Sequence, residues 1–170
     1  MVALPTRVCV QAATQIITVK QNDKPADIGF LLDESGSVGN HDFKSNLAFV
    51  TNFVDVFDIG DTTAKISLYA FHQEMGNGFY FNCCIDKESV KSSINKINYT
   101  SGGEDFEKAL AFAKNNMFQK SNGMRDFSVK ILLFFTDGRS SVQDGGKLLH
   151  QLGFIVYAVG VGNGVDIEQL

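Results

Sequence analysis

The 170-residue chain has no tryptophan, only three cysteines, and no block in which its 15 lysines and arginines gather. With a formal net charge of −4 and no basic cluster, it carries no electrostatic footprint for nucleic acid or an anionic membrane surface. Its apolar runs are all far shorter than the roughly 20 residues that a membrane-spanning helix needs. Met1 to Pro5 lack the basic start and long apolar stretch of a secretory leader, so the expectation is a fragment or processed form carrying an added Met. Catalytic signatures are missing as well. Ser35 and Ser37 do not have the spacing of a Gly-x-Ser-x-Gly nucleophile elbow. No Walker loop occurs, and Gly36-Ser37-Val38-Gly39 is too short for a dinucleotide-binding turn. His41, His72 and His150 have no motif partners, and surface or structural roles account for them. A phosphatase built on strand-end carboxylates would want a second Asp where Ser35 stands. The expectation is a protein that is not an enzyme.

What is present suits one soluble domain: 44% hydrophobic and 20% charged residues, in a length that can bury a sizeable core. Fifteen phenylalanines carry no functional reading. Cys9, Cys83 and Cys84 leave at least one sulfur without an intrachain partner. Cys83 and Cys84 are neighbours in a strand-like run, so their side chains are expected on opposite faces. That favours a bridge from one of them to Cys9 over a bridge between neighbours. Three reduced, partly buried thiols are the alternative.

The chain is organised around Asp33-Glu34-Ser35-Gly36-Ser37-Val38-Gly39. A short apolar run precedes it and an amphipathic run follows, which predicts a buried strand, a tight turn and a helix. Asp33, Ser35 and Ser37 place a carboxylate and two hydroxyls at alternate positions. All are hard oxygen donors of the type that suits Mg²⁺, Mn²⁺ or Ca²⁺. The simpler alternative is a turn in which Ser37 or Asn40 only caps the helix. A second apolar run, 129–135, ends in Thr136-Asp137-Gly138 and offers another carboxylate at a strand's C-terminal end. In an open parallel sheet that is where ligands bind.

Elsewhere, Phe43, Leu47, Val50, Val54 and Phe57 predict a helix of about four turns, stopped near Gly60. Residues 65–71 and 79–85 read as strands joined by a turn at Met75-Gly76-Asn77-Gly78, hence an antiparallel hairpin. Asp86 can cap a helix bearing Val90, Ile94 and Ile97, and Phe106, Leu110, Ala113 and Met117 mark another. A short helix over 141–152 is expected to pack through Leu148, Leu149 and Leu152, followed by a buried strand over 154–161. Asp166 to Leu170 begin a further helix. Residues 1–25 read as an extension or linker with β-prone runs at 7–11 and 15–20, and 26–170 as the domain. Asn98-Tyr99-Thr100 matches an N-glycosylation acceptor.

Asp33-x-Ser35-x-Ser37 with Thr136-Asp137-Gly138 resembles the metal-ion-dependent adhesion site of the von Willebrand factor A family. The similarity extends through 26–32, Gly102-Gly103, Ala109-Leu110 and 153–162. It implies a three-layer, doubly wound α/β fold: a mainly parallel sheet with one antiparallel edge strand. It also implies a closing strand and helix that this chain does not reach, and so an uncovered sheet edge through which it could self-associate. By this resemblance Ser35 and Ser37 contact a divalent cation directly, Asp33 and Asp137 hold it directly or through water, and a partner's carboxylate completes the octahedron. The implied role is a secreted, extracellular-matrix adhesion module binding another protein, collagen among the candidates. The alternative is a structural matrix-assembly module whose site is not used for ligands. One position departs from the family. Where it usually has a metal-binding Thr, five residues before Ala109, this chain has Glu104, followed by Asp105. Glu104 is either a first-turn helix residue favoured by the helix dipole or a third carboxylate facing the metal position, with Thr100 and Ser101 as substitutes only if the loop is shifted.

Overall fold

The computed structural model describes residues 24–137 and 143–161. The β-prone runs at 7–11 and 15–20, Cys9, Gly138 and the helix start at Asp166 lie outside them. Five strands form one sheet in the order β3-β2-β1-β4-β5. They are β1 (Ala26–Asp33), β2 (Ala64–Phe71), β3 (Met75–Phe79), β4 (Val129–Thr136) and β5 (Ile155–Gly160). All pairings are parallel except β2 with β3. The order reverses at β1, whose neighbours are β2 and β4, so Asp33 and Thr136 end up beside each other at the C-terminal edge.

Alternation along the central strands divides the core in two. Phe30, Leu32, Ile131, Leu133 and Phe135 face α1 (Gly39–Val54) and α2 (Lys87–Ile94). Leu31, Leu132 and Phe134 face α3 (Phe106–Phe112) and α4 (Gln143–Gln151). Phenylalanine fills both layers: Phe30 meets Phe53 edge-on at 5.4 Å on one side, and Phe134 meets Phe71 at 5.1 Å and Phe106 at 5.5 Å on the other. The abundance that had no functional reading is a packing device; such ring pairs add roughly 0.5–1.5 kcal/mol each beyond the area they bury.

The helices keep their expected places with local differences. α1 ends at Val54, and Phe57 reaches the core from the turn beyond it. Asp86 caps α2 through the amide of Ser89, 2.8 Å away. The run begun by α3 continues as a π-helical turn, Ala113–Met117. Of the three leucines expected to pack at α4, Leu149 is buried, whereas Leu148 and Leu152 are exposed. β5 is half-buried rather than buried, as befits the last strand of the sheet among the described residues.

The hairpin is antiparallel as expected but lies earlier in the chain. Its turn is His72 to Glu74, and the glycine-rich stretch predicted as the turn is strand β3. Glycine here serves close approach rather than turning. A Cβ on Gly78 would stand 2.3 Å from the Leu68 carbonyl oxygen, and one on Gly76 would stand 2.0 Å from Oε1 of Glu34. Residues 80–85 are consequently not a strand, and the alternation expected of Cys83 and Cys84 does not apply. The chain turns there, with the Cys83 amide donating to the Tyr80 carbonyl. Cys83 and Cys84 are bonded to each other, which corrects the expected bridge to Cys9 and the reduced-thiol alternative.

At the N-terminal end of the sheet, Asp27 is fully buried and fully engaged. It accepts from the Arg125 amide (2.7 Å), from Arg125 Nε (2.8 Å) and from the Ser128 hydroxyl. Arg125 spends its other donors on the carbonyls of Asp61, Ala26 and Thr63.

Candidate metal centre

Three segments meet at the C-terminal edge of β1 and β4. The turn after β1 is tied to the loop before α3 by the Gly36 amide, which donates to the Gly102 carbonyl at 2.9 Å. The Tyr99 hydroxyl donates to the Ser35 carbonyl at 3.1 Å, and the Thr100 amide to Oε2 of Glu34 at 3.1 Å. Asp137 follows β4 directly. Sequence reasoning missed Glu34 and Tyr99 as braces of this turn. The available signal was a second acidic residue, Glu34, placed where a buried strand runs into its turn.

The oxygen donors of the turn are arranged as a cluster, not as a cap. Helix α1 starts behind Val38 with no side-chain cap, and Ser37 Oγ instead lies 3.0 Å from Ser35 Oγ. That removes the reading in which Ser37 or Asn40 only caps the helix. Gly39, at φ 73°, makes the bend into the helix. Ser35 is buried and Ser37 exposed, so the hydroxyl pair runs from the interior to solvent.

Asp33, Glu104 and Asp137 each bring a carboxylate oxygen to this point, all within 4.8 Å of one another. None of the three histidines belongs to the cluster. Glu104 is not a first-turn helix residue. Asp105 is the N-cap of α3, its Oδ1 accepting from the Lys108 amide at 2.9 Å, so the cap is already supplied and Glu104 stands before it. The loop thus presents Glu104 to the two aspartates, while Thr100 and Ser101 are exposed.

The electrostatics follow from burial. Asp33 Oδ1 accepts from the Ser35 amide at 2.8 Å, whereas its Oδ2 is buried without a hydrogen-bond partner. Desolvation is the main force pushing this carboxyl up, from 3.8 to about 6. Hydrogen bonds from Ser35 oppose the shift, and the charges of Asp137 and Glu104 add to it. Buried carboxylates brought together without a counter-charge are costly. A divalent cation relieves both burial and repulsion, so the orphaned Oδ2 and the hard-oxygen set fit one. Opposite oxygens lie about 4.2 Å apart across Mg²⁺ and about 4.6–5.2 Å apart across Ca²⁺. The observed spread accommodates either ion with little movement.

A sequence model of the von Willebrand factor type A domain matches residues 27–170. Human vitrin is 36% identical over 138 residues, which is 80% of this chain and 20% of vitrin. Human matrilin-1 is 33% identical over 144 residues, 84% of this chain and 29% of that protein. The chain thus spans less than a third of these relatives' length. Among solved structures, mussel byssus proximal thread matrix protein 1 with a zinc-occupied MIDAS motif superposes with a TM-score of 0.79 at 26% identity, over 87% of this chain and 41% of that one. Manganese-loaded TRAP protein of Plasmodium vivax, 18% identical over 85% of this chain and 60% of its own, shares the fold with a TM-score of 0.72.

Proposed function

Because the chain belongs to the von Willebrand factor type A family, we propose that it is a non-enzymatic, extracellular protein-binding module whose adhesive edge carries a divalent cation. The hydroxyls of Ser35 and Ser37 and the carboxylates of Asp33, Asp137 and Glu104 would hold the ion. The observation that carries this reading is the convergence of three carboxylates on one point beside a hydroxyl pair. Mg²⁺, Ca²⁺ and Mn²⁺ are the candidate ions, and a matrix protein such as a collagen is the candidate partner. The similarity to vitrin and matrilin-1 supports the matrix setting, and the zinc-occupied byssus protein supports a cation at this edge. Titration calorimetry of the domain against each cation, then against a panel of matrix proteins with and without EDTA, tests it. Matrix binding abolished by EDTA is the expected outcome. Failure to bind any of the three cations would overturn the site assignment.

Glu104 favours a second form of this reading, in which the cation is retained for structure and acidic ligands are refused. Two carboxylates neutralise a divalent ion, and a third reverses the sign of the site. At an effective dielectric near 20, one added like charge about 4 Å away opposes an incoming anion by roughly 4 kcal/mol before screening. A quarter of that is already close to a tenfold loss of affinity. In this form the partner is a neutral or basic surface, or the domain assembles through its other faces. Matrix binding that persists in EDTA would favour it.

A further inference from the structure

The stretch Asn98-Tyr99-Thr100 lies between α2 and α3, in a segment without regular secondary structure. Its central side chain turns inward: Tyr99 packs against Phe43 with ring centroids 5.7 Å apart, and its hydroxyl reaches the Ser35 carbonyl. Asn98 and Thr100 are both exposed. Anchoring Tyr99 therefore presents the amide of Asn98 and the hydroxyl of Thr100 together toward solvent. No other Asn-x-Ser/Thr triplet occurs in the chain.

We infer that Asn98 is an N-glycosylation site, and that its glycan lies over the groove between α1 and α2. The inference rests on the extracellular reading above only for the cellular route. In the transfer, Asn98 Nδ2 forms a bond to the anomeric carbon of a lipid-diphosphate-linked oligosaccharide. The bond from that carbon to the diphosphate oxygen breaks, the electron pair leaves with the lipid diphosphate, and the amide gives up one proton to the transferase. The remaining N–H can keep its hydrogen bond to the Lys96 carbonyl, now 3.3 Å, so modification does not require the loop to rearrange. Asn98 stands on the rim of an open groove of about 460 Å³, lined by Lys44, Leu47, Thr51, Asn52 and Ile94 among others. This mixture of aliphatic and hydrogen-bonding groups suits sugar rings, which present both C–H faces and hydroxyls. Because Tyr99 and Thr100 brace the cation turn, the glycan stands on the α1–α2 flank of the metal edge. A large partner is then confined to the opposite flank.

The test expresses the full chain behind a heterologous secretion leader in eukaryotic cells, so that delivery to the lumen does not depend on the extracellular reading. Peptide mass mapping with and without peptide-N-glycosidase compares wild type with Asn98→Gln, Thr100→Ala and Thr100→Ser. The expected result is one enzyme-sensitive glycan in wild type and Thr100→Ser, and none in the other two. The Lys44 amine should be acylated more slowly before deglycosylation than after it. Secreted wild type with an unmodified Asn98 peptide overturns the site, and equal Lys44 rates overturn the placement over the groove. Neither failure bears on the cation reading, which the calorimetric titration decides.

Discussion

Asp27 and Asp33 stand near opposite ends of the same strand, are equally inaccessible to solvent, and are treated in opposite ways by the rest of the chain. Asp27 is met by a guanidinium, an amide and a hydroxyl, and Arg125 in turn satisfies three carbonyls. Asp33 is met by one amide, one hydroxyl and two more carboxylates. The first arrangement carries its own cation and is closed. The second leaves a buried oxygen unmatched and calls for a cation from solution. Burial of a carboxylate is thus no signature of function by itself; what separates the two ends is whether the chain also supplies the counter-charge.

The comparison breaks most visibly at the closed end. Arg125→Met should leave Asp27 buried and uncompensated, at a cost of about 3–5 kcal/mol in urea unfolding. The thermal shift produced by a saturating cation should survive in whatever remains folded. At the open end, Asp33→Asn should do the reverse. One carboxylate about 4 Å from a divalent ion contributes roughly 8 kcal/mol at an effective dielectric near 20 before screening. Keeping a quarter of that predicts a roughly 30-fold loss of cation affinity, read by calorimetry. The cation-free domain should melt no lower than wild type.

Glu104→Thr sharpens the contrast more gently. Cation binding should weaken, while an acidic peptide ligand should gain about tenfold, in line with one like charge removed. Identical cation and peptide titrations for the variant and wild type would show that Glu104 does not act at the ion. The same comparison can be read through pH. The folded carboxyl of Asp33 sits at about 6 against 3.8 unfolded, so it holds its proton more tightly when folded. Its contribution to cation-free stability is therefore full below about pH 3.8 and lost as pH rises through about 6. The cation competes with that proton, so its thermal shift should be small at pH 5, grow through pH 6 and level off above pH 7. Asp33→Asn should flatten the profile.

The open end was legible because its donors are local. Asp33, Ser35 and Ser37 share one turn, and Asp137 sits where a run of apolar residues stops. Glu104 was legible as a departure from a pattern, but placing it outside the helix and beside the two aspartates needed Asp105 seen in the capping position. The closed end was not legible, since Asp27 and Arg125 are 98 residues apart and nothing near either marks the other. The individual strands were legible as apolar runs and the mainly parallel sheet through the family resemblance, whereas the strand order came only from the structure. The hairpin was misplaced because glycine reads equally as a turn or as room for a neighbouring strand. Cys83 and Cys84 were misjudged with it, because alternation was assumed for a segment that turns.

Gly76 belongs to an edge strand and offers a cation nothing, yet the space above it is filled by the carboxylate of Glu34, whose other oxygen holds the Thr100 amide. A methyl group there has nowhere to go except into Glu34, and Glu34 can retreat only by releasing the loop that carries Glu104. Gly76→Ala should therefore behave as a remote lesion. Its readout would be a slackened, weaker cation site in a protein whose sheet is still intact by circular dichroism.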